Sequence, residues 1–309
     1  MKLNLKHLLW LILLPALLAG ACSDDKYVGL RSPQAPLAYP VNKDSIPIYK
    51  RHKDTPLKIL AIGNSFTNCA IHYLPHLIKE LDDDSVCVAK LVKSSASLSM
   101  HWNSHISNSA DYDLYYSDGG TYKETDIKTI DEALTILDWD IIVIQQVSGL
   151  SGIYSSYEPY LHYLLELFQE SNPGSLSAWQ CTWAYMPGTV HQDFFRYEYD
   201  SERMYTAILG ACSRISSQVD IVIPSAVAIR RLREAFPEVE DGFTKDGFHL
   251  DLTGLAGITL SSLWHECLIA PYTGVSSTDR RQYFNSGKIE NSDTDKALDI
   301  VADIMRSYE

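Results

Sequence analysis

Short apolar runs alternate with amphipathic stretches along most of this chain. Leu57–Ile62 is apolar except for one lysine, the pattern of a strand buried on both faces. It stops at Gly63-Asn64-Ser65 and gives way to helical spacing over Ile71–Leu81, with Leu74, Leu77, Ile78 and Leu81 on one face. Val86–Val92 predicts a second strand and Leu98–Ile106 a short helix. Asn108–Thr125 is polar and rich in tyrosine; it reads as an insertion turning at Asp118-Gly119-Gly120. A helix over Ile127–Leu137 leads to Asp140–Ile144, the clearest buried strand, which ends at Gln145-Gln146. A helix at Tyr160–Phe168, a strand at Ser175–Trp183, a helix at Ser201–Ser217 and a strand at Val219–Pro224 follow. Helical patterns at Ala226–Phe236, Thr253–Ala270 and Asp293–Ser307 complete the chain. Strands separated by helices pair in parallel, with helices on both faces of the sheet. The expected fold is therefore α/β, one three-layer α/β/α domain over residues 56–309 with a parallel sheet of about five strands.

The first residues follow a different pattern. Lys2 and Lys6 precede an apolar run from Leu8 to Leu18, and Ala19-Gly20-Ala21 stand before Cys22. That run is shorter than the roughly 20 residues a membrane-spanning helix needs, so residues 1–21 read as a signal peptide. Small residues before a cysteine resemble the lipobox of bacterial lipoproteins, which makes Cys22 the expected lipidation site. Ser23-Asp24-Asp25 resemble the surface-export signal of some Gram-negative lipoproteins. Residues 22–55, broken by Pro33, Pro36, Pro40 and Pro47, read as a tether. The expected place is the cell envelope, on the outer membrane, facing out or into the periplasm, with the N-terminal lipid as the sole membrane contact.

A hydrophobic content of 46% with 21% charged residues excludes a disordered chain. The net charge of −13, without a basic stripe, speaks against a nucleic-acid partner. Six cysteines are present without metal-ligand spacing. Cys87 and Cys267 lie among apolar neighbours, as buried free thiols do. His72/His76 and His101/His105 have helical i, i+4 spacing, but neither pair carries the acidic partner of a zinc helix. Neither a metal nor a cofactor is expected.

In a parallel α/β sheet, the loops at the carboxyl ends of the strands share one rim, where ligands bind. Ser65 follows the first strand, Ser94–Ser97 the second and Gln145-Gln146 the third. Trp183 and Tyr185 follow the fourth, and Asp246 and His249 come after the fifth. A serine hydroxyl needs a base within hydrogen-bond reach. Histidine is the side chain suited to that near neutral pH, and an aspartate three residues earlier on the same loop can orient it. Ser65 is thus the candidate nucleophile, His249 its base and Asp246 the orienter. The N–H groups of Ser65 and Ser95, with the amide of Gln146 or Gln145, are candidate oxyanion donors. Gln146 is favoured as nearer the loop. His101, Trp102, Trp183 and Tyr185 are candidate substrate contacts; for His101 and Trp102 simple packing competes. The tyrosines of the insertion, with Tyr154, Tyr157 and Tyr160, suit either sugar stacking or packing.

Gly63-Asn64-Ser65-Phe66-Thr67, Ser97-Leu98 with His101-Trp102, Trp139 to Gln146, Gln180 to Tyr185, and Asp246-Gly247-Phe248-His249-Leu250 resemble, in that order, the motifs of the SGNH (GDSL-type) hydrolases. More narrowly, they resemble an uncharacterised subgroup found as bacterial lipoproteins. The resemblance implies a flavodoxin-like fold and a metal-independent serine esterase with Ser65, His249 and Asp246 as its triad. Two positions depart from the superfamily pattern: Lys93–Ser97 lacks the usual glycine, and glutamine replaces the usual asparagine at 145 and 146. The expected activity is hydrolysis of small acyl esters, acetyl above all, from carbohydrate or another small-molecule ester. An acyltransferase with the same triad and a non-catalytic glycan-binding lipoprotein are the alternatives.

Overall fold

In the computed structural model the described residues are 56–81, 86–118, 120–279 and 291–307, all within one compact unit. The leader, Cys22 and the tether lie outside them. Parallel strands β1 (Leu57–Gly63), β2 (Val86–Val92), β5 (Ile141–Ile144), β6 (Leu176–Gln180) and β7 (Ile221–Ile223) form the core of the sheet. With the antiparallel pair β3 (Asp113–Asp118) and β4 (Thr121–Glu124), the sheet runs β4-β3-β2-β1-β5-β6-β7. The five expected parallel strands are present. β1 and β5, buried almost throughout, form the centre.

The hairpin corrects the reading of Asn108–Thr125 as an insertion. β3 pairs with β2 through Lys90↔Tyr115 and Leu91↔Leu114, so the segment extends the sheet. Its hydrophobic signal is hidden because tyrosines do the covering. The Lys90 ammonium lies 4.0 Å from the Tyr122 ring centre and 5.2 Å from that of Tyr115.

α1 (Ser65–Ile71), α2 (Leu74–Glu80), α7 (Ser225–Ala235), α8 (Leu255–Trp264) and α10 (Asn291–Arg306) pack with one another. α3 (Leu98–Ser107), α4 (Ile130–Thr135) and α5 (Tyr160–Ser171) form a second group. α6 (Ser201–Ile215) joins β6 to β7, and the short α9 (Ala270–Thr273) follows α8 after one π-helical turn. Right-handed crossovers account for the two groups. The chain steps from β1 to β2 on one side of the sheet, then crosses to β5 and onward on the other. The direction reverses between β1 and β5, where an open α/β sheet leaves a crevice. Ser65 stands there. No described helix is long and apolar enough to cross a membrane.

Candidate active site

Gly63 ends β1 because nothing larger fits: a Cβ there would lie 2.0 Å from the Thr67 hydroxyl. Asn64 then caps α1. Its Oδ1 accepts from the Phe66 N–H at 3.0 Å, which places Ser65 as the first helical residue. The Ser65 N–H therefore has no acceptor within the helix. Ser65 itself is half-buried, while Asn64 is 1% exposed.

Asn64 does more than cap. Its Oδ1 also accepts from Gln145 Nε2 at 2.7 Å, and its Nδ2 donates to the Ala96 carbonyl at 3.0 Å. One buried amide thus ties the ends of β1, β2 and β5 together. The loop that it holds carries Ser95, whose φ of 54° is left-handed. An L-residue there costs about 1 kcal/mol. A glycine would carry no such cost, so the serine holds this backbone conformation under strain.

The other half of the site arrives on the Lys245–Leu250 loop. Gly247 adopts φ +90°, and a Cβ would lie 1.6 Å from the Thr189 hydroxyl oxygen. Asp246 Oδ1 accepts from the N–H groups of Phe248 (3.1 Å) and His249 (2.8 Å). Asp246 Oδ2 lies 2.7 Å from His249 Nδ1, and His249 Nε2 lies 2.8 Å from Ser65 Oγ. Burial acts to raise the Asp246 pKa, but hydrogen bonds from the backbone and ring of His249 and from the Phe248 N–H outweigh it. The carboxyl is held below its ordinary value. Asp246 therefore stays anionic at neutral pH, which fixes the proton on His249 Nδ1 and leaves Nε2 to accept from Ser65.

The loop is braced from behind. Met186 N–H donates to the Gly247 carbonyl at 2.7 Å, and Trp183 Nε1 to the Phe248 carbonyl at 2.9 Å. Trp183 also stacks on Phe66, with ring centres 4.3 Å apart. From the front these residues are open: the His249 and Asp246 side chains are 34% and 40% exposed.

Over residues 58–282 the sequence matches the domain of unknown function DUF4886. The chain belongs to the DUF4886 family. A DUF4886 family protein from Bacteroides uniformis, known from a crystal structure, is 29% identical; the match covers 81% of this chain and 95% of that one, with a TM-score of 0.72. A protein from Slackia heliotrinireducens, described as a candidate SGNH hydrolase, is 18% identical over 69% of this chain and 99% of its own, with a TM-score of 0.48. A candidate GDSL-like lipase from Parabacteroides merdae is 12% identical over 69% and 95%, with a TM-score of 0.47. These last two likenesses are too distant to carry a chemical argument. No functionally curated protein matches.

In this DUF4886 protein Ser65, His249 and Asp246 come together, and several other expected contacts do not reach the rim. Gln146 is fully buried, and its amide is directed elsewhere: Nε2 donates to the Ser156 carbonyl and hydroxyl, each at 3.1 Å, while Oε1 accepts from Leu98 and Val147 N–H. It latches α3 to the Ser156 turn, and Gln145 is the glutamine that faces the Ser65 corner. Trp183 and Tyr185 are also corrected. Both are fully buried, and Tyr185 OH lies 2.7 Å from Ser148 Oγ, so they support the site from behind. His101 is a core histidine, buried and 2.9 Å from Tyr112 OH through Nδ1. Burial pushes its pKa down to about 3, so it is neutral. Trp102 is half-buried and packs on His105 and Tyr163. Cys69, Cys87, Cys181, Cys212 and Cys267 are free thiols.

The structure adds residues that sequence reasoning passed over. Asn64 was read only as part of a motif. His191 was not singled out, yet its ring lies 4.8 Å from that of Phe248, and burial lowers its pKa. Only its place in the long β6–α6 connection could have drawn attention to it.

Proposed function

We propose that this chain is a serine esterase of the SGNH type that removes small acyl groups, acetyl foremost, from carbohydrate. The observation that carries the reading is the unbroken relay from Ser65 Oγ to His249 Nε2 at 2.8 Å and from His249 Nδ1 to Asp246 Oδ2 at 2.7 Å. Such a relay suits nucleophilic attack by the serine. His249 takes the Ser65 proton as Oγ attacks the ester carbonyl, and Asp246 stabilises the imidazolium that forms. The oxyanion develops where the Ser65 N–H, the Ser95 N–H and the second amide hydrogen of Gln145 are the donors at hand. His249 returns the proton to the leaving alcohol, and water then releases the acid from Ser65 by the same steps in reverse. An open front suits a small acyl group on a bulky alcohol, because only the acyl end has to enter. The reading includes lipidation at Cys22, whose preceding small residues resemble a lipobox and which would keep the activity at the cell envelope.

The test is acetate release from p-nitrophenyl acetate and from acetylated glycans, with and without an added acceptor sugar. Release that depends on Ser65 and goes to water is expected. Acetyl recovered mainly on the acceptor would make the protein a transferase. No turnover of any ester would contradict the enzymatic reading.

A further inference from the structure

A cavity of about 220 Å³ lies behind the segment that braces the His249 loop, and none of Ser65, Asp246 and His249 lines it. Met186, Pro187, Ser201, Tyr205, Ala226 and Arg233 do. Its character is mainly apolar, yet two of these residues carry buried polar atoms without a partner, Ser201 Oγ and Arg233 Nη2. Arg233 is only partly satisfied by the protein. Its Nε donates to the Gly242 carbonyl at 3.2 Å and its Nη1 to the Ala184 carbonyl at 2.9 Å.

The charge of Arg233 is also left over. Two carboxylates also line the cavity, Glu202 and Glu234, and both are taken by Arg230, itself at its wall. Among the described residues none pairs with Arg233. Burial, with Arg230 adding repulsion, pushes its guanidinium down to about 10. A buried cation with neutral partners alone is costly, and a counter-ion supplied from outside relieves that cost.

We propose that this cavity binds a small monocarboxylate, its carboxylate received by Arg233 Nη2 and the Ser201 hydroxyl and its apolar body lying against Tyr205 and Ala226. A guanidinium nitrogen and a hydroxyl are the donors a carboxylate needs. Glu202 and Glu234, more than half exposed beside Arg230, repel a doubly charged phosphate more than a singly charged acid. Both donor atoms are covered, so binding would require a lining side chain to shift. Met186 is that side chain: its sulfur packs against Gly242, whose carbonyl holds Arg233, and methionine shifts readily.

The probes are butyrate, its neutral isostere butyramide, and inorganic phosphate, titrated calorimetrically into the folded protein. Butyrate is expected to bind at millimolar concentration, with butyramide and phosphate each roughly tenfold weaker or more, the loss expected when a charge-assisted hydrogen bond is removed or opposed. Arg233→Gln should weaken butyrate by a similar factor. Arg233 also holds two carbonyls, so Ser201→Val, which removes the hydroxyl and narrows the cavity, provides the decision if Arg233→Gln does not fold. Ser65→Ala should leave binding unchanged, which separates this site from the catalytic one. The proposal is overturned if butyrate fails to bind, if butyramide or phosphate binds as well as butyrate, if Ser201→Val binds butyrate normally, or if Ser65→Ala abolishes binding.

Discussion

The two halves of the candidate site are held in opposite ways. The Ser65 corner is buried and fixed by side chains: Asn64 alone joins Phe66, Gln145 and Ala96. The His249 loop is a third or more exposed and is fixed mainly through its carbonyls, by Met186 and Trp183 from behind and by its own aspartate. On the proposed mechanism a nucleophile must keep one position relative to its oxyanion donors, and the buried Asn64 network beneath Ser65 suits that. A base must meet solvent and leaving group in turn, so its loop is open in front and braced at the back. The contrast predicts that disturbing the first half costs stability and activity together, while disturbing the second costs activity first.

The largest effect tests whether both halves belong to one site. Ser65→Ala and His249→Ala should each lower kcat about 10⁴-fold, and the double variant should lose little more, because the two act as one unit. Additive losses in ester hydrolysis would break the link between them.

Next comes the ground beneath α1. Lys90, 3% exposed, donates from Nζ to Asn68 Oδ1 at 2.5 Å. Burial pushes its ammonium down to about 8 from an ordinary 10.5. The folded state holds this proton more weakly than the unfolded one. The penalty is therefore fully present below about pH 8 and is relieved as pH rises through 8 to 10.5. Relative to Lys90→Met, the wild type should gain about 3 kcal/mol across that window in urea melts. A constant difference would mean the ammonium is not desolvated.

Asn64→Ala should cost roughly 2 kcal/mol of stability in the same melts, because it leaves buried partners unsatisfied in α1, in the loop after β2 and at the end of β5. It should also lower kcat by loosening the Ser95 loop. Trp183→Phe keeps the stack on Phe66 and removes the bond to the Phe248 carbonyl. It should lower kcat at a stability cost of about 1–2 kcal/mol, since the smaller ring leaves a cavity as well as an unpaired carbonyl. If Trp183→Phe proved the more destabilising of the two, the contrast between the halves would fail. The smallest effect is a gain: Ser95→Gly relieves the left-handed backbone and should raise stability by less than about 1 kcal/mol, with the unfolded chain's added freedom offsetting part of the relief.

These differences also explain what could be read from the chain before folding. The five parallel strands are local apolar runs, and Gly63–Thr67 at the end of β1 and Asp246–Leu250 between α7 and α8 are local motifs. Burial of individual side chains is not local. Trp183 and Tyr185 follow β6 as rim residues would, but the Gly188–Tyr199 connection and the His249 loop close over them. Gln145 and Gln146 differ only in which way each points from the end of β5, which depends on Asn64, 81 residues away along the chain, and on the fold of the turn at Ser156. The β3–β4 hairpin escaped notice because its tyrosines cover a buried lysine, so its alternation reads as polar.

The central claim is that Ser65 is a nucleophile activated by His249. A fluorophosphonate probe tests it most directly, because the probe reacts with an activated serine whatever the natural ester is. The folded protein should be labelled at Ser65, and labelling should vanish in Ser65→Ala and fall steeply in His249→Ala. A folded wild-type protein that takes up no label, or one labelled equally in Ser65→Ala, would contradict it.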